Sequence, residues 1–508
     1  MQSFHQAREV AEVYSPAEEA FNRRRRTVGL FLAPATFLLI WSLPLDLPAP
    51  AHRMASILGL VVVLWLSEAL PLAATALLGP ALAVVLGIAD AREALAPFAD
   101  PIIFLFIGGF ILAQAMFVHG VDRRIAYTAL SLPAVRSSAL RILLVYGGVC
   151  TAISMWISNT ATTAMMFPIG LSIIAHLSRT SPAHQSQVQG FAMAMMLVTA
   201  FGPSIGGMGT PVGTPPNLIG IGMLEKMAGI EVSFFQWMAI GVPVVALMFA
   251  AMIAQFYCRS IRGLLISDGS TAVVQQELSR LGELKPGERN VLLAFGLTIL
   301  LWIAPGLFAV LGVDQTAFAQ WYASAMPESV AAVIGALALF LLPIDWRARR
   351  FTLTWDEAVR IDWGIVLLYG GGLALGELAF TTGLARAMGE AVTAWLPSQT
   401  TLALTMIFTA AAIALSETAS NTASANMIVP ISIAVSQAAG VRALEPVLGA
   451  TLGASMGFMM PISTAPNAIV YSSGYIPIGQ MVRHGFLLDL IGFVVIVTVV
   501  MTLSPILF

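Results

Sequence analysis

The chain has 508 residues, of which 58% are hydrophobic and only 10% charged, with a net charge of −2 at neutral pH. A soluble chain carries about 25% charged residues, so a surface that faces water throughout is excluded. The net charge says nothing about partners, but the lack of a basic patch interleaved with aromatic residues argues against nucleic acid.

In chain order, a polar segment over 1–27 comes first, with Arg23–Arg26 just before the first apolar run. No small-residue cleavage site follows that run, so the first helix is expected to be retained. Apolar runs of about 20 residues, long enough to span the hydrocarbon core, then recur along the chain. They predict crossings at 28–44, 54–71, 73–89, 101–119, 190–224, 234–257, 290–312, 327–343, 362–382, 443–474 and 485–507. Two further apolar stretches, 138–177 and 399–438, hold polar clusters at their centres. The predicted fold class is an all-α polytopic membrane protein of about 11 transmembrane helices plus two re-entrant hairpins. Cys150 and Cys258 stand far apart in apolar surroundings and read as unpaired thiols. The segment 258–289, with Asp268, Glu277, Arg280, Glu283, Lys285, Glu288 and Arg289, is the long charged connector, read as a solvated linker between two halves, 28–257 and 290–508.

Basic residues set the orientation. With the N-terminus in the cytoplasm, 20 of the 25 Lys and Arg residues fall on the cytoplasmic side. Only Arg53, Arg92, Lys226, Arg386 and Arg442 fall outside. The positive-inside rule supports this topology and leaves the C-terminus outside. A bacterial inner membrane is the expected location.

The chain repeats itself. At a shift of 262 residues, Gly108-Gly109 falls on Gly370-Gly371, and 154–169 falls on 416–431 with 8 identities in 16 positions. Those identities include Ser154 on Ser416 and Ser158-Asn159-Thr160-Ala161 on Ser420-Asn421-Thr422-Ala423. At a shift of 250, Gly207, Pro211, Thr214, Pro216-Asn217 and Ile219 fall on Gly457, Pro461, Thr464, Pro466-Asn467 and Ile469. The first copy has 12 more residues between its two motifs, which the polar run Ser178–Gln189 could supply. If each polar-centred stretch returns to its own side, an odd number of crossings separates the copies, and the second is inverted.

The clusters read as a binding site. A stretch of about 40 residues is twice what one crossing needs, so 138–177 and 399–438 are expected to be hairpins with the Ser-Asn-Thr triplets at their tips. Irregular backbone at membrane depth is tolerated only against protein or a water-filled cavity. The glycines and prolines of 206–217 and 457–467 cannot continue a helix, so 190–224 and 443–474 should break near mid-membrane. A break exposes a helix N-terminus, which attracts anions, and free carbonyls, which suit Na⁺. Acidic residues within the apolar segments are Glu68, Glu377, Glu417 and Asp489, and intramembrane acids are functional by default. Glu417 precedes Ser420 by three residues, so it should lie near the second cluster, in a structural role more than as a proton relay.

The paired Ser-Asn-Thr triplets, with Thr-Pro-Pro-Asn at 214–217 and Thr-Ala-Pro-Asn at 464–467, resemble the divalent anion–sodium symporter family, from about residue 28 to the C-terminus. Ala-Thr-Thr-Ala-Met-Met after the first triplet resembles its sodium-coupled, INDY-type branch; the exchanger branch tends to carry an arginine there. The resemblance implies Na⁺-coupled symport of C4 dicarboxylates (succinate, malate, fumarate) by an elevator motion, in a homodimer. It implies two or more co-transported Na⁺ ions. The first site would use Ser154, Ser158, Asn159 and backbone at Gly213, the second Ser416, Ala419, Asn421 and backbone at Ser463. The substrate would meet Ser158, Asn159, Thr160 and Thr214 from one copy and Ser420, Asn421, Thr422 and Thr464 from the other. Ser416 and Ser463 stand where Thr and Ala are expected, and Ala465 replaces the proline that Pro215 retains, which leaves fine selectivity open. Anion exchange, proton coupling, and sulfate or citrate as cargo remain alternatives.

Other classes fare worse. The six histidines, His5, His52, His119, His176, His184 and His484, lack the spacing of a zinc protease helix. The serine clusters contain no His or Asp partner for a hydrolase. Paired hairpins could line an anion channel, but inverted halves suit a carrier better.

Overall fold

The protein is described by a computed structural model covering residues 16–132, 138–180, 185–261, 270–396 and 398–508. Asp268 of the charged connector, His5, and positions 181–184 within the polar run, His184 among them, lie outside the described residues. Leaving single turns aside, the helices are α1 (Pro16–Ser42), α2 (Ala49–Ser67), α3 (Leu72–Val85), α4 (Pro101–His119), α5 (Val121–Leu130), α6 (Ala139–Ser154), α7 (Asn159–Thr180) and α8 (Gln185–Gly207). They continue as α9 (Pro215–Met223), α10 (Phe234–Phe256), α11 (Ser270–Leu281), α12 (Pro286–Val310), α13 (Ala317–Ala325) and α14 (Glu328–Leu341). After a two-strand ribbon (Pro343–Asp345 with Arg350–Phe351) come α15 (Trp363–Thr381), α16 (Leu384–Trp395), α17 (Thr401–Thr418), α18 (Asn421–Ala438), α19 (Leu444–Gly453), α20 (Ala465–Tyr471) and α21 (Ile478–Leu507).

Among the described residues, nine helices are long and apolar enough to cross a bilayer, or ten if α13 and α14, bent by 69° at their junction, form one span. The protein is an all-α polytopic membrane protein. Lipid offers the backbone no hydrogen bonds, so each span closes its own through helix. Some stretches expected to cross are shorter or divided: α3 has 14 residues, and 443–474 is split between α19 and α20. In the second, Pro461 and Pro466 interrupt the run of donors a continuous helix would need.

The helix boundaries follow the sequence shifts. Helices α4, α6 and α7 begin at 101, 139 and 159, and α15, α17 and α18 begin at 363, 401 and 421, each 262 residues later. Helices α9 and α20 begin at 215 and 465, a shift of 250. The extra residues of the first copy lengthen α7 and α8, which have 22 and 23 residues where α18 and α19 have 18 and 10. Each copy also holds an amphipathic helix that the sequence reading passed over, α5 and α16. Each follows a glycine in the left-handed region, Gly120 at φ 71° and Gly383 at φ 82°, where a side chain would be strained.

Two apolar clusters organise the packing. The larger joins both copies; the smaller joins α2, α3, α15, α16 and part of α18. Close approaches depend on missing side chains: a Cβ on Gly108 of α4 would strike the backbone of Ala332 in α14, 2.6 Å away. The half-helices after the breaks cross over between copies. Helix α9 packs on α18 and α19 of the second copy, and α20 packs on α7 and α8 of the first.

Candidate functional site

Each triplet sits where one helix stops and the next begins. Helix α6 ends at Ser154 and α7 starts at Asn159; α17 ends at Thr418 and α18 starts at Asn421. The hydroxyl of Ser158 accepts the backbone N–H of Ala161 at 3.3 Å, and that of Ser420 accepts Ala423 N–H at 3.2 Å. These are N-cap bonds that relieve orphan donors of the first turn. Behind the tips, Ser154 Oγ donates to Asn159 Oδ1 at 2.9 Å, and Ser416 Oγ lies 2.8 Å from Asn421 Oδ1 and 2.9 Å from the Ala454 carbonyl. With its Oδ1 so held, each asparagine keeps its amide N–H₂ directed elsewhere.

The breaks are braced by a pair of residues that sequence reasoning aligned but gave no role. Asn217 Nδ2 donates to the carbonyls of Gly207 at 2.8 Å and Thr210 at 2.7 Å. Asn467 Nδ2 donates to Gly457 and Met460, both at 2.9 Å. All four acceptors correspond at the shift of 250. The Oδ1 atoms of Asn217 and Asn467 are buried without a partner. The signal was in the sequence, as the one amide side chain shared by both breaks. Thr214 and Thr464 precede α9 and α20 as N-caps, and Thr464 Oγ1 accepts the N–H of Asn467 at 3.4 Å. Thr210 Oγ1 also donates to the Met155 carbonyl, tying the first break to the first tip.

Tip and break meet within each copy. A Cβ on Gly207 would lie 2.5 Å from Asn159 Oδ1 and 3.1 Å from Thr214 Cβ. A Cβ on Gly457 would lie 3.2 Å from Asn421 Oδ1 and 3.1 Å from the Ser416 carbonyl. Each copy therefore gathers the starts of two helices, α7 with α9 and α18 with α20, beside the ends of two others. Helix starts present free N–H groups and positive potential; helix ends present free carbonyls and negative potential. One place can thus hold an anion beside a cation without any fixed charge at the triplets.

The candidate residues differ in exposure. Ser154, Ser416, Gly213, Thr214, Ala419 and Ser463 are buried; Asn159, Ser420, Asn421, Thr422 and Thr464 are half-buried; Ser158 and Thr160 are exposed. Within each copy the structure brings these residues together. Between copies, the link runs through the crossed half-helices and through Phe201 of α8 against Phe458, ring centroids 5.0 Å apart. Ser463 Oγ is taken up by Glu417, 2.8 Å from its Oε2 and 3.0 Å from its carbonyl. Glu417 Oε1 accepts the N–H groups of Phe458 at 2.6 Å and Met459 at 2.9 Å. A separate cavity of about 830 Å³, lined by Gln187, Arg259, Tyr475, Arg483 and His484 among others, includes no triplet residue.

Comparisons with known proteins agree with this architecture. The family model described as the sodium:sulfate symporter transmembrane region matches residues 24–508. The sodium-dependent dicarboxylate transporter SdcS of Staphylococcus aureus strain USA300 is 34% identical over 489 residues, covering 94% of this chain and 91% of that protein. The SdcS protein of strain MRSA252 matches to the same extent. Two solved transporters share the fold at 11% identity: YdaH of Alcanivorax borkumensis, with a TM-score of 0.53 over 90% of this chain and 99% of its own; and MtrF of Neisseria gonorrhoeae, with a TM-score of 0.54 over 91% and 96%.

Proposed function

The chain belongs to the sodium:sulfate symporter family, the divalent anion–sodium symporters, and on that premise we propose that it couples Na⁺ to uptake of a C4 dicarboxylate such as succinate, malate or fumarate. It is an integral membrane transporter, not an enzyme. The observation that carries the proposal is the duplicated meeting of helix starts and helix ends at the two Ser-Asn-Thr tips. A dicarboxylate has two negative ends, and the fold supplies two matched places that favour negative charge. The curated relatives SdcS bear the name of sodium-dependent dicarboxylate transporters, which supports the same cargo.

Each copy would hold one Na⁺: Ser154, Ser158, Asn159 and the Gly213 carbonyl in the first, and Ser416, Asn421 and the carbonyls of Ala419 and Ser463 in the second. All are neutral oxygen donors, the hard ligands that suit alkali cations. Asn159, Thr160 and Thr214 would meet one carboxylate, with Asn421, Thr422 and Thr464 at the other, and Ser158 and Ser420 flanking them through their caps. Two Na⁺ ions offset the dianion, so the loaded site crosses low-dielectric surroundings near neutrality.

The N-terminus would face the cytoplasm. Arg124 binds Glu288 at 2.8 Å and the Gly282 carbonyl at 3.0 Å, and His119 lies 2.6 Å from the Thr352 carbonyl, which groups segments assigned to that side. Arg442 lies over the ring of Phe508, 5.9 Å from its centre, which groups one of the assigned outer arginines with the C-terminus. The test is uptake of labelled succinate into liposomes containing the purified protein. An inward Na⁺ gradient should drive accumulation; accumulation that follows a proton gradient and ignores Na⁺ overturns the coupling.

A further inference from the structure

At one buried place the two copies differ by a pair of carboxyl groups. In the first copy, Gly241 of α10 lies against the break: a Cβ there would sit 2.5 Å from the Met208 carbonyl. In the second, Gly485 of α21 lies against the equivalent residue, with a Cβ 2.6 Å from the Phe458 carbonyl. One helical turn beyond these glycines stand Val245 and Asp489, both buried. The tip residue facing each break is Met155 in the first copy, whose Cε would lie 2.8 Å from a Cβ on Gly209. In the second copy it is Glu417, bonded to Phe458 and Met459. An apolar pair, Met155 and Val245, is thus replaced by Glu417 and Asp489 in an otherwise matched frame.

Asp489 is 4% exposed, and neither of its oxygens meets a donor. The charge beside it is that of Glu417. Glu417 already accepts two N–H groups and one hydroxyl, so its charge is spread, whereas that of Asp489 is not. A buried carboxylate facing another carboxylate, with no donor of its own, must take up either a proton or a metal cation.

We infer that Glu417 and Asp489 form a further Na⁺ site that belongs to the second copy alone, beside the pair of symmetric sites. The ligands are hard oxygens with no imidazole or thiolate among them, which suits an alkali cation. Glu417 also receives the N–H groups that fix the second break, so the ion occupies the site only when that break is formed. A further Na⁺ gives each loaded cycle a net positive charge, since the symmetric ions already balance a dianion.

This inference rests on the Na⁺–dicarboxylate reading, and the experiment separates the two. Uptake of ²²Na⁺ and labelled succinate is measured in the same proteoliposomes, with and without an inside-negative potential set by K⁺ and valinomycin. The wild type should carry one Na⁺ more per succinate than the symmetric sites supply, and the potential should accelerate it. Asp489→Asn, and the double variant Glu417→Met/Asp489→Val that copies the first repeat, should carry one Na⁺ fewer and lose the acceleration. If a variant does not transport, the rise in melting temperature of the purified protein with Na⁺, without substrate, should still be smaller than in the wild type. An unchanged ion ratio in transporting variants, or an unchanged Na⁺ response of melting in silent ones, means the carboxyls share a proton and overturns the site. Wild-type uptake that ignores Na⁺ overturns the underlying reading instead.

Discussion

Four asparagines do two different jobs. Asn159 and Asn421 stand at helix starts, half-buried, each holding one serine through Oδ1. Asn217 and Asn467 are fully buried and brace the breaks through Nδ2. Removing a bracing amide strands two carbonyls away from water, at about 1–3 kcal/mol for each buried group left unsatisfied. Asn467→Ala is therefore expected to lower both the melting temperature and succinate uptake. Asn421→Ala and Asn159→Ala should abolish uptake while changing melting little, because each gives up one hydrogen bond at a partly open tip. Uptake and thermal denaturation at matched expression check both. Wild-type transport in Asn159→Ala or Asn421→Ala would remove those residues from the site.

At the scale of elements, the places where polar residues interrupt apolar runs were readable, because lipid makes such residues costly unless they have partners. Paired triplets, Gly/Pro runs and two constant shifts were enough to align α4, α6, α7 and α9 with α15, α17, α18 and α20. What the sequence hid depended on contacts at a distance. The amphipathic helices α5 and α16 are short, and the charged residues Arg123, Arg124, Arg386 and Glu390 break any long apolar run there. Helix α13 lies before the crossing expected at 327–343 and meets α14 at a bend of 69° that the sequence did not mark. The crossing of α9 onto α19 rests on a single missing side chain: a Cβ on Gly220 would collide with the side chain of Thr451. Gly220→Ala should thus push the two copies apart, an overpacking cost of about 1–3 kcal/mol. A lower melting temperature and reduced uptake are expected. Gly296→Ala in α12, where nothing lies within 4 Å, should change neither. If the two substitutions behave alike, the crossing does not depend on that contact.

On the scale of the whole molecule, the question is which parts travel together. Helices α4, α12 and α14 interlock through glycines: Gly108 lies on Ala332, and Gly335 on Thr298. The tips and breaks interlock just as closely with one another, through the asparagine braces and the crossed half-helices. Moving the second group as one body keeps each of those bonds intact during the crossing, whereas moving its parts separately would expose donors and carbonyls to lipid. An elevator therefore predicts that the first group stays while the second slides. The two groups touch where a Cβ on Gly109 of α4 would lie 3.7 Å from Val212 Cβ in the first break, close to the separation of about 3.8 Å found in disulfides. In a background lacking Cys150 and Cys258, Gly109→Cys/Val212→Cys should oxidise readily. Uptake should stop on oxidation and return on reduction, because the bond pins the sliding body to the fixed one. If the oxidised protein transports as fast as the reduced protein, α4 and the break never part, and the boundary between moving and fixed helices lies elsewhere.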